Sequence, residues 1–292
     1  MPTAPPSRRP ALVALAVLTL VWSYNWIVMK QALAYSGPFT FSALRYVFGT
    51  GVLFAVLLLR GESLRPPPLG PTLLIGLAQT TGFQLLVQSA LVSGGAGRIA
   101  LLAYTMPFWV VLLGWIAYAQ RPARRVGIGL LLAGAGLLLV LEPWRGLGGA
   151  TPSLLAIAGG LAWAIGVVAS KRLFERSTTS PLSLTAWQML LGTCGVVLVA
   201  ACVPERAIDW TPWFVGALAY NALLASGLAW LLWSYVVARL PAGIAGLASL
   251  VIPVAGIGFA WALLDERPDA PEAAGIALIV AALLLVTRAR PA

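Results

Sequence analysis

Residues 96–140 read AGRIALLAYTMPFWVVLLGWIAYAQRPARRVGIGLLLAGAGLLLV: an apolar run with a proline in its middle, a polar turn, and a second apolar run rich in glycine. Residues 242–286 repeat the pattern: AGIAGLASLVIPVAGIGFAWALLDERPDAPEAAGIALIVAALLLV. Identical residues stand at equivalent positions, as in the pairs Pro107 and Pro253, Trp115 and Trp261, and Gly129 and Gly275. Self-similarity at a fixed spacing indicates a duplicated structural unit.

The composition indicates that this unit lies in a membrane. Of 292 residues, 60% are hydrophobic and only 10% are charged, against about 25% charged in a typical soluble domain. The formal net charge of +10 does not point to nucleic acid, because the basic residues lie between apolar runs and not on one amphipathic face. We therefore expect the lipid bilayer and a small-molecule substrate as partners, and no nucleic acid.

Apolar runs long enough to cross a bilayer as helices, about 20 residues each, occur ten times. They are residues 11–29, 38–59, 71–92, 97–119, 123–141, 152–172, 181–203, 212–237, 241–264 and 271–287. The runs are too long for strands, so they predict an all-α membrane protein with ten transmembrane helices. The first run continues through Trp22 and Lys30 without a small-residue cleavage site, which favours a retained span over a removed signal peptide.

The basic residues predict how the chain is oriented. With the N-terminus inside, thirteen of the 19 Lys and Arg residues lie on the cytoplasmic side and five on the other, so both termini are predicted to be cytoplasmic. Trp22 and Lys30 are echoed by Trp163 and Lys171, which extends the duplication to two five-helix repeats, residues 1–147 and 148–292. Because five is odd, the second repeat should be inverted, an arrangement typical of secondary transporters.

The repeated residues resemble a known family. Trp22 and Lys30 close the first span, Arg45 lies early in the second, and Pro253 precedes Glu266-Arg267-Pro268 by thirteen residues. This pattern resembles the drug/metabolite transporter superfamily, specifically its EamA-type ten-helix exporters, and within them the YddG-type exporters of aromatic amino acids. The resemblance implies export of small metabolites across the bacterial inner membrane. Two departures are Gln120, where the family often has Glu, and Gln188, at the position equivalent to Arg45.

Polar and aromatic side chains recur inside the apolar runs, where lipid contact would be costly. Those predicted to bind substrate are Trp22, Asn25, Trp26, Gln84, Tyr104, Trp163, Gln188 and Tyr220. The alternatives are hydrogen bonds that only hold helices together and, for the tryptophans, the belt at the membrane interface.

The missing chemistry narrows the function. There is no histidine, and all nine Asp and Glu residues fall in predicted loops or at span ends, whereas proton relays normally need an ionisable group within the membrane. We therefore predict facilitated export. A cavity of Trp, Tyr, Asn and Gln side chains fits amino acids, aromatic or otherwise neutral or zwitterionic, as the substrates. A multidrug or lipophilic-cation exporter and a proton-coupled antiporter are the alternatives. We expect no cofactor, no metal site and no enzyme activity, with a transport-free scaffold as the competing class.

Two interpretations remain open for each of three sequence features. Arg45 is the membrane-embedded charge, and it either draws a substrate carboxylate or has a structural role. Pro107 and Pro253 are predicted to kink their helices and act as hinges for alternating access, or else they shape two static helices. The fifth and tenth runs are rich in glycine and alanine, which indicates close packing in a monomer or a homodimer.

Overall fold

The computed structural model describes residues 9–119, 121–145, 150–256 and 269–287, and over these ranges the chain is helical and free of β-strands. The first half contains α1 (Arg9–Ala32), α2 (Pro38–Leu59), α3 (Leu69–Ile75), α4 (Phe83–Ser93), α5 (Ala96–Ala103), α6 (Met106–Tyr118) and α7 (Arg124–Leu141). The second contains α8 (Ala150–Arg176), α9 (Pro181–Cys202), α10 (Pro212–Tyr220), α11 (Ala229–Arg239), α12 (Ala242–Ser249), α13 (residues 251–256) and α14 (Ala270–Thr287). The predicted helical fold class is confirmed.

Within the described ranges, seven helical stretches are long and apolar enough to cross a membrane: Pro10–Ala32, Pro38–Leu59, Ala96–Ala117, Arg124–Leu141, Ala150–Arg176, Pro181–Cys202 and Pro212–Arg239. Two shorter apolar helices cover Ala242–Gly256 and Ala273–Leu285. The predicted run 71–92 also lies on one continuous helical stretch, which contains three glutamines. The number of ten spans and the side of the termini stay predictions.

Several helices begin where the sequence supplies a start signal. Proline occupies the first turn of α2, α9 and α10, where its missing N–H costs nothing. Ser180 Oγ accepts a hydrogen bond from the Ser183 backbone N–H at 3.1 Å, and Thr211 Oγ1 accepts one from Phe214 at 3.2 Å. These side-chain caps satisfy donors that the helix itself leaves free.

Two π-helical segments occupy matching places in the two halves. Gly76–Gly82 joins α3 to α4, and Asn221–Leu228 joins α10 to α11. A π segment shifts the backbone hydrogen-bond register within a helix, and such segments frequently lie at functional sites. Here each one contacts a long helix of the other half, α8 or α1.

In the helices that contain the repeated prolines, a turn interrupts the α-helical pattern just before each proline, and the roles of Pro107 and Pro253 as kinks and hinges stay predictions. The first helix breaks at Tyr104 and Thr105, and the second breaks at Leu250. Both breaks begin three residues before the proline, so Pro107 and Pro253 lie in the first turn of a new helix, where proline is tolerated. Gln120 and the repeated Glu266-Arg267-Pro268 lie outside the described residues.

Equivalent helices of the two halves pack against each other and run antiparallel. In α2 and α9 the hydroxyls of Thr50 and Thr193 are 3.3 Å apart, and the rings of Phe54 and Trp187 are 5.4 Å apart. Residue numbers therefore increase in opposite directions along α2 and α9.

The pair α7 and α14 has the same relation. A Cβ atom added at Gly136 would come within 2.7 Å of Gly275 O and close to Ile279. One added at Gly275 would meet Gly136 O and the side chain of Val140. Here too, higher numbers on α14 meet lower numbers on α7. Glycine lets the two backbones approach this closely.

A carboxylate from the second half caps a helix of the first. Glu205, in the connection between α9 and α10, accepts hydrogen bonds from the backbone N–H groups of Phe39 and Thr40 at 2.9 and 2.7 Å. These donors form the first turn of α2, where a negative charge is also favoured by the helix dipole.

We expect Glu205→Ala to destabilise the protein, because two partly buried donors lose a charged acceptor, a change worth about 1–3 kcal/mol. Thermal unfolding of the purified protein in detergent measures the effect. The control is Asp209→Ala in the same connection, since the hydrogen bonds of Asp209 use its backbone. Equal melting temperatures for both variants would contradict the capping role.

Candidate functional site

A small cavity lies between helices of both halves and is called the central cavity below. It is lined by residues of α1, α2, α4, the break after α5, α8 and α11: Trp22, Asn25, Trp26, Met29, Arg45, Tyr46, Phe83, Gln84, Tyr104, Trp163 and Trp230. The first half supplies all but the last two.

Trp163 of α8 is the centre of the aromatic wall. Its ring centroid lies 5.6 Å from that of Trp22, 5.2 Å from Phe83 and 5.4 Å from Tyr104. Trp22 and Trp163 hold equivalent positions in the two halves and meet edge to face, a favoured aromatic geometry. The aromatic wall thus joins the two copies of the repeated unit.

Hydrogen bonds hold some polar groups at the cavity in place. Tyr46 donates its hydroxyl proton to Gln84 Oε1 at 3.3 Å, while Gln84 Nε2 donates to Ser42 Oγ at 3.1 Å. Trp22 Nε1 donates to the carbonyl of Ala225 in the π segment of the other half at 3.0 Å. These bonds fix the orientation of side chains from α1, α2 and α4.

Several buried polar atoms, Trp233 Nε1 among them, have no hydrogen-bond partner within the part of the chain that the structure describes, and two of these atoms lie at the central cavity. They are Asn25 Oδ1, an acceptor, and Trp163 Nε1, a donor. Buried polar groups in proteins are nearly always hydrogen-bonded, so an unpaired one calls for an explanation such as a bound ligand. Both residues line the central cavity.

Arg45 brings a positive charge to the same cavity. Its side chain is buried, at 2% exposure, and lies seven residues after the start of α2, about 10 Å into the helix at 1.5 Å per residue. Nε donates to Ser226 Oγ at 3.0 Å and Nη1 contacts Met29 Sδ at 2.9 Å, while the guanidinium lies 5.1 Å from the ring centre of Tyr46. The guanidinium is therefore enclosed by groups of the protein itself.

The central cavity is narrow in this structure. Its volume is about 30 Å³, which is room for one or two water molecules. A ligand the size of an amino acid needs a pocket about ten times larger. Admission of such a ligand therefore requires movement of the helices or of the tryptophan rings.

A second cavity lies further along α8 and is called the vestibule below. It has a volume of about 270 Å³ and is lined by α6, α8 and α12 and by the turn before α7. Lys171, eight residues after Trp163, lies on its wall together with Arg121 and Glu175. Eight residues of helix place the vestibule about 12 Å from the central cavity.

Six of the eight predicted substrate residues line the central cavity: Trp22, Asn25, Trp26, Gln84, Tyr104 and Trp163. The other two do not. Gln188 is buried between helices, where Thr80 donates to its Oε1 at 2.8 Å. The hydroxyl of Tyr220 donates to Val21 O at 2.6 Å. The role of the six residues in binding stays a prediction.

Sequence reasoning did not select four lining residues: Met29, Tyr46, Phe83 and Trp230. Trp230 carries the same signal as the selected tryptophans, and Tyr46 directly follows Arg45. Met29 and Phe83 carry no signal, because an apolar residue in a membrane helix is expected whether it faces lipid, protein or a cavity. No group of three or more His, Cys, Asp and Glu that could hold a metal occurs among the described residues.

An all-helical chain of membrane-length apolar helices, with a polar and aromatic cavity between its two halves, is typical of solute transporters. The sequence model of the EamA-like transporter family matches residues 9–142 and again residues 151–288. The chain belongs to this family and is a multi-pass membrane transporter.

Individual relatives agree with this assignment. The chain is 26% identical over 295 residues to the "Probable amino-acid metabolite efflux pump" of Salmonella typhimurium, covering 96% of this chain and 95% of that protein. It is 28% identical over 293 residues to the "Uncharacterized inner membrane transporter YedA" of Escherichia coli, covering 95% and 90%. A protein of known crystal structure, 24% identical, has the same fold with a TM-score of 0.78 over 96% of this chain and 97% of its own.

Proposed function

We propose that this protein exports amino acids, aromatic or otherwise neutral or zwitterionic, across the bacterial inner membrane. The observation that carries the proposal is the central cavity, in which aromatic walls from Trp22 and Trp163 meet polar groups such as Asn25 and Gln84. Such a lining suits a solute with an apolar side chain and a few polar groups. The names of the efflux-pump and inner-membrane relatives support the same activity and location.

The proposed mechanism is alternating access between two inverted five-helix repeats, residues 1–147 and 148–292, with both termini in the cytoplasm. The antiparallel contacts of α2 with α9 and of α7 with α14 support the inversion, because equivalent helices of inverted copies must run in opposite directions. In this mechanism the narrow central cavity is a contracted form of the transport site. The vestibule, with Lys171 and Arg121, then leads to it from the cytoplasmic side.

The proposed energy source is the gradient of the substrate itself. The described acids lie in the connections or at helix ends, as with Glu142 and Glu175, and the charged residue at the central cavity is Arg45. A buried cation opposes a lipophilic cation as substrate, which argues against the multidrug alternative. The aromatic wall favours the narrower YddG-type aromatic substrates.

Flux of a panel of labelled amino acids in proteoliposomes, with and without a pH gradient, tests the proposal. We expect saturable flux of aromatic and other neutral amino acids that an imposed pH gradient does not accelerate. Strong acceleration by the pH gradient would instead favour proton antiport. Absence of flux for every solute would leave the scaffold interpretation.

We expect Pro107→Ala and Pro253→Ala to slow transport roughly three- to tenfold, about 0.6–1.4 kcal/mol in the barrier. Each change adds a backbone N–H group, so the helix can continue across the turn that precedes the proline. The helix then becomes stiffer at a point where alternating access requires it to bend. Initial flux rates in proteoliposomes measure the effect.

The control for this pair is Pro212→Ala, a first-turn proline of α10 with no helix break before it, which should transport normally. Normal rates in both the Pro107 and Pro253 variants would show that the prolines shape static helices.

A further inference from the structure

The guanidinium of Arg45 is a buried charge whose contacts are all neutral. The hydroxyl of Ser226, the sulfur of Met29 and the ring of Tyr46 surround it, and within the described ranges no carboxylate pairs with it. Removing a charge from water is unfavourable unless an opposite charge or a full set of hydrogen bonds replaces the water. The site therefore lacks one negative charge.

The position of Arg45 at the central cavity shows where that charge would come from. A guanidinium binds a carboxylate through two parallel hydrogen bonds, and here Ser226 and Met29 account for two of its donor groups. The aromatic rings of Trp22 and Trp163 line the same cavity and would take an apolar side chain. A carboxylate ligand would thus meet both a cation and an apolar wall.

The remaining unpaired atoms describe the rest of the ligand. Asn25 Oδ1 can accept a hydrogen bond from one N–H group, and Trp163 Nε1 can donate one to a carbonyl. An ammonium group has three donors and a full positive charge, and among the described residues that line the cavity there is no acidic side chain to receive it. An amide suits this pair of atoms, since it has one N–H and one carbonyl.

We propose that the central cavity prefers solutes of net charge −1 to free zwitterionic amino acids, a preference called the charge rule below. The preferred solute is an apolar or aromatic carboxylate whose amino group is blocked as an amide. The carboxylate binds Arg45, the amide N–H binds Asn25, the amide carbonyl accepts from Trp163, and the side chain packs among the tryptophans. The occupied cavity is then electrically neutral, whereas a zwitterion leaves the Arg45 charge uncompensated overall. This inference rests on the proposed function, because it takes the central cavity as the transport site.

Three probes that share an indole ring test the charge rule: N-acetyl-L-tryptophan with charge −1, L-tryptophan as the zwitterion, and tryptamine as the cation. In proteoliposomes of the full-length protein, we expect N-acetyltryptophan to enter at least tenfold faster than tryptophan at equal concentration, after subtraction of entry into protein-free vesicles. An inside-positive potential should accelerate it, because the carrier then moves net charge. Tryptamine should not compete.

Substitutions at Arg45 test the assignment of the carboxylate. Arg45→Gln should lower N-acetyltryptophan flux at least tenfold and remove the preference over tryptophan, while Arg45→Lys should retain part of the preference. The control is Arg98→Gln, an arginine of α5 that donates to the carbonyl of Leu141 and should leave the preference unchanged. If Arg45→Gln does not fold, the probe series and the potential dependence of the wild type decide.

The outcomes separate this inference from the proposed function. Equal flux of tryptophan and N-acetyltryptophan, or inhibition by tryptamine as strong as by either, would overturn the charge rule and leave amino-acid export standing. Absence of flux for all three probes and for the amino-acid panel would overturn both.

Discussion

Replacing Trp163 by phenylalanine is expected to reduce transport at least tenfold, about 1.4 kcal/mol in transition-state stabilisation. Trp163 is buried to 1% exposure and contacts Trp22, Phe83 and Tyr104 across the central cavity. Phenylalanine keeps an apolar ring but removes the unpaired Nε1 donor and part of the wall. Alanine would also open a void, at about 3–5 kcal/mol of stability, so phenylalanine is the cleaner change.

The matched control is Trp233→Phe. Trp233 is equally buried and lies 5.4 Å from Trp163 in the same aromatic cluster, but it does not line the central cavity. If the cavity is the transport site, flux should fall for the Trp163 variant and stay near wild type for the Trp233 variant. Equal losses would mean that the cluster acts through packing alone.

The second large effect is expected at Gly192. An alanine there should destabilise the protein by about 1–3 kcal/mol or more, the usual cost of overpacking, because its Cβ would overlap the backbone carbonyl of Gly76 and the side chain of Thr80. The same region holds the hydrogen bond from Thr81 Oγ1 to Gly192 O at 2.7 Å. The close approach of α9 to the first π segment depends on the missing side chain.

The control is Gly51→Ala on α2, where a Cβ would meet nothing within 4 Å. Alanine favours a helix over glycine by about 1 kcal/mol, so this variant should be neutral or slightly more stable. Melting temperatures in detergent, and the fraction of monodisperse protein after extraction, measure both variants. Equal melting temperatures would show that α9 can move away from the π segment without cost.

Much of the fold can be predicted from the sequence, because each membrane helix needs a long apolar run and such runs are easily recognised. The two π segments could not be predicted in this way, since Gly76–Gly82 and Asn221–Leu228 differ in sequence, contain no proline, and contain glycines of a kind that also occur in the regular helices.

The candidate site was predictable only in part. Trp22, Asn25 and Trp163 have polar or aromatic side chains within apolar runs, which marks them as facing away from lipid. Gln188 is also a polar residue within an apolar run, yet it forms a hydrogen bond with Thr80 between two helices. Polarity shows that a side chain avoids lipid but does not show whether it meets a cavity or a neighbouring helix, and that distinction requires the packing of α9.

The most direct measurement of the central claim is counterflow. Vesicles containing the purified protein are loaded with an unlabelled aromatic amino acid, and a trace of the same labelled compound is added outside without any ion gradient. A carrier whose single site faces each side in turn should accumulate label transiently above its equilibrium level, and Trp163→Phe should abolish this overshoot. Uptake that rises only to equilibrium, whatever the internal load, would contradict alternating access through the central cavity.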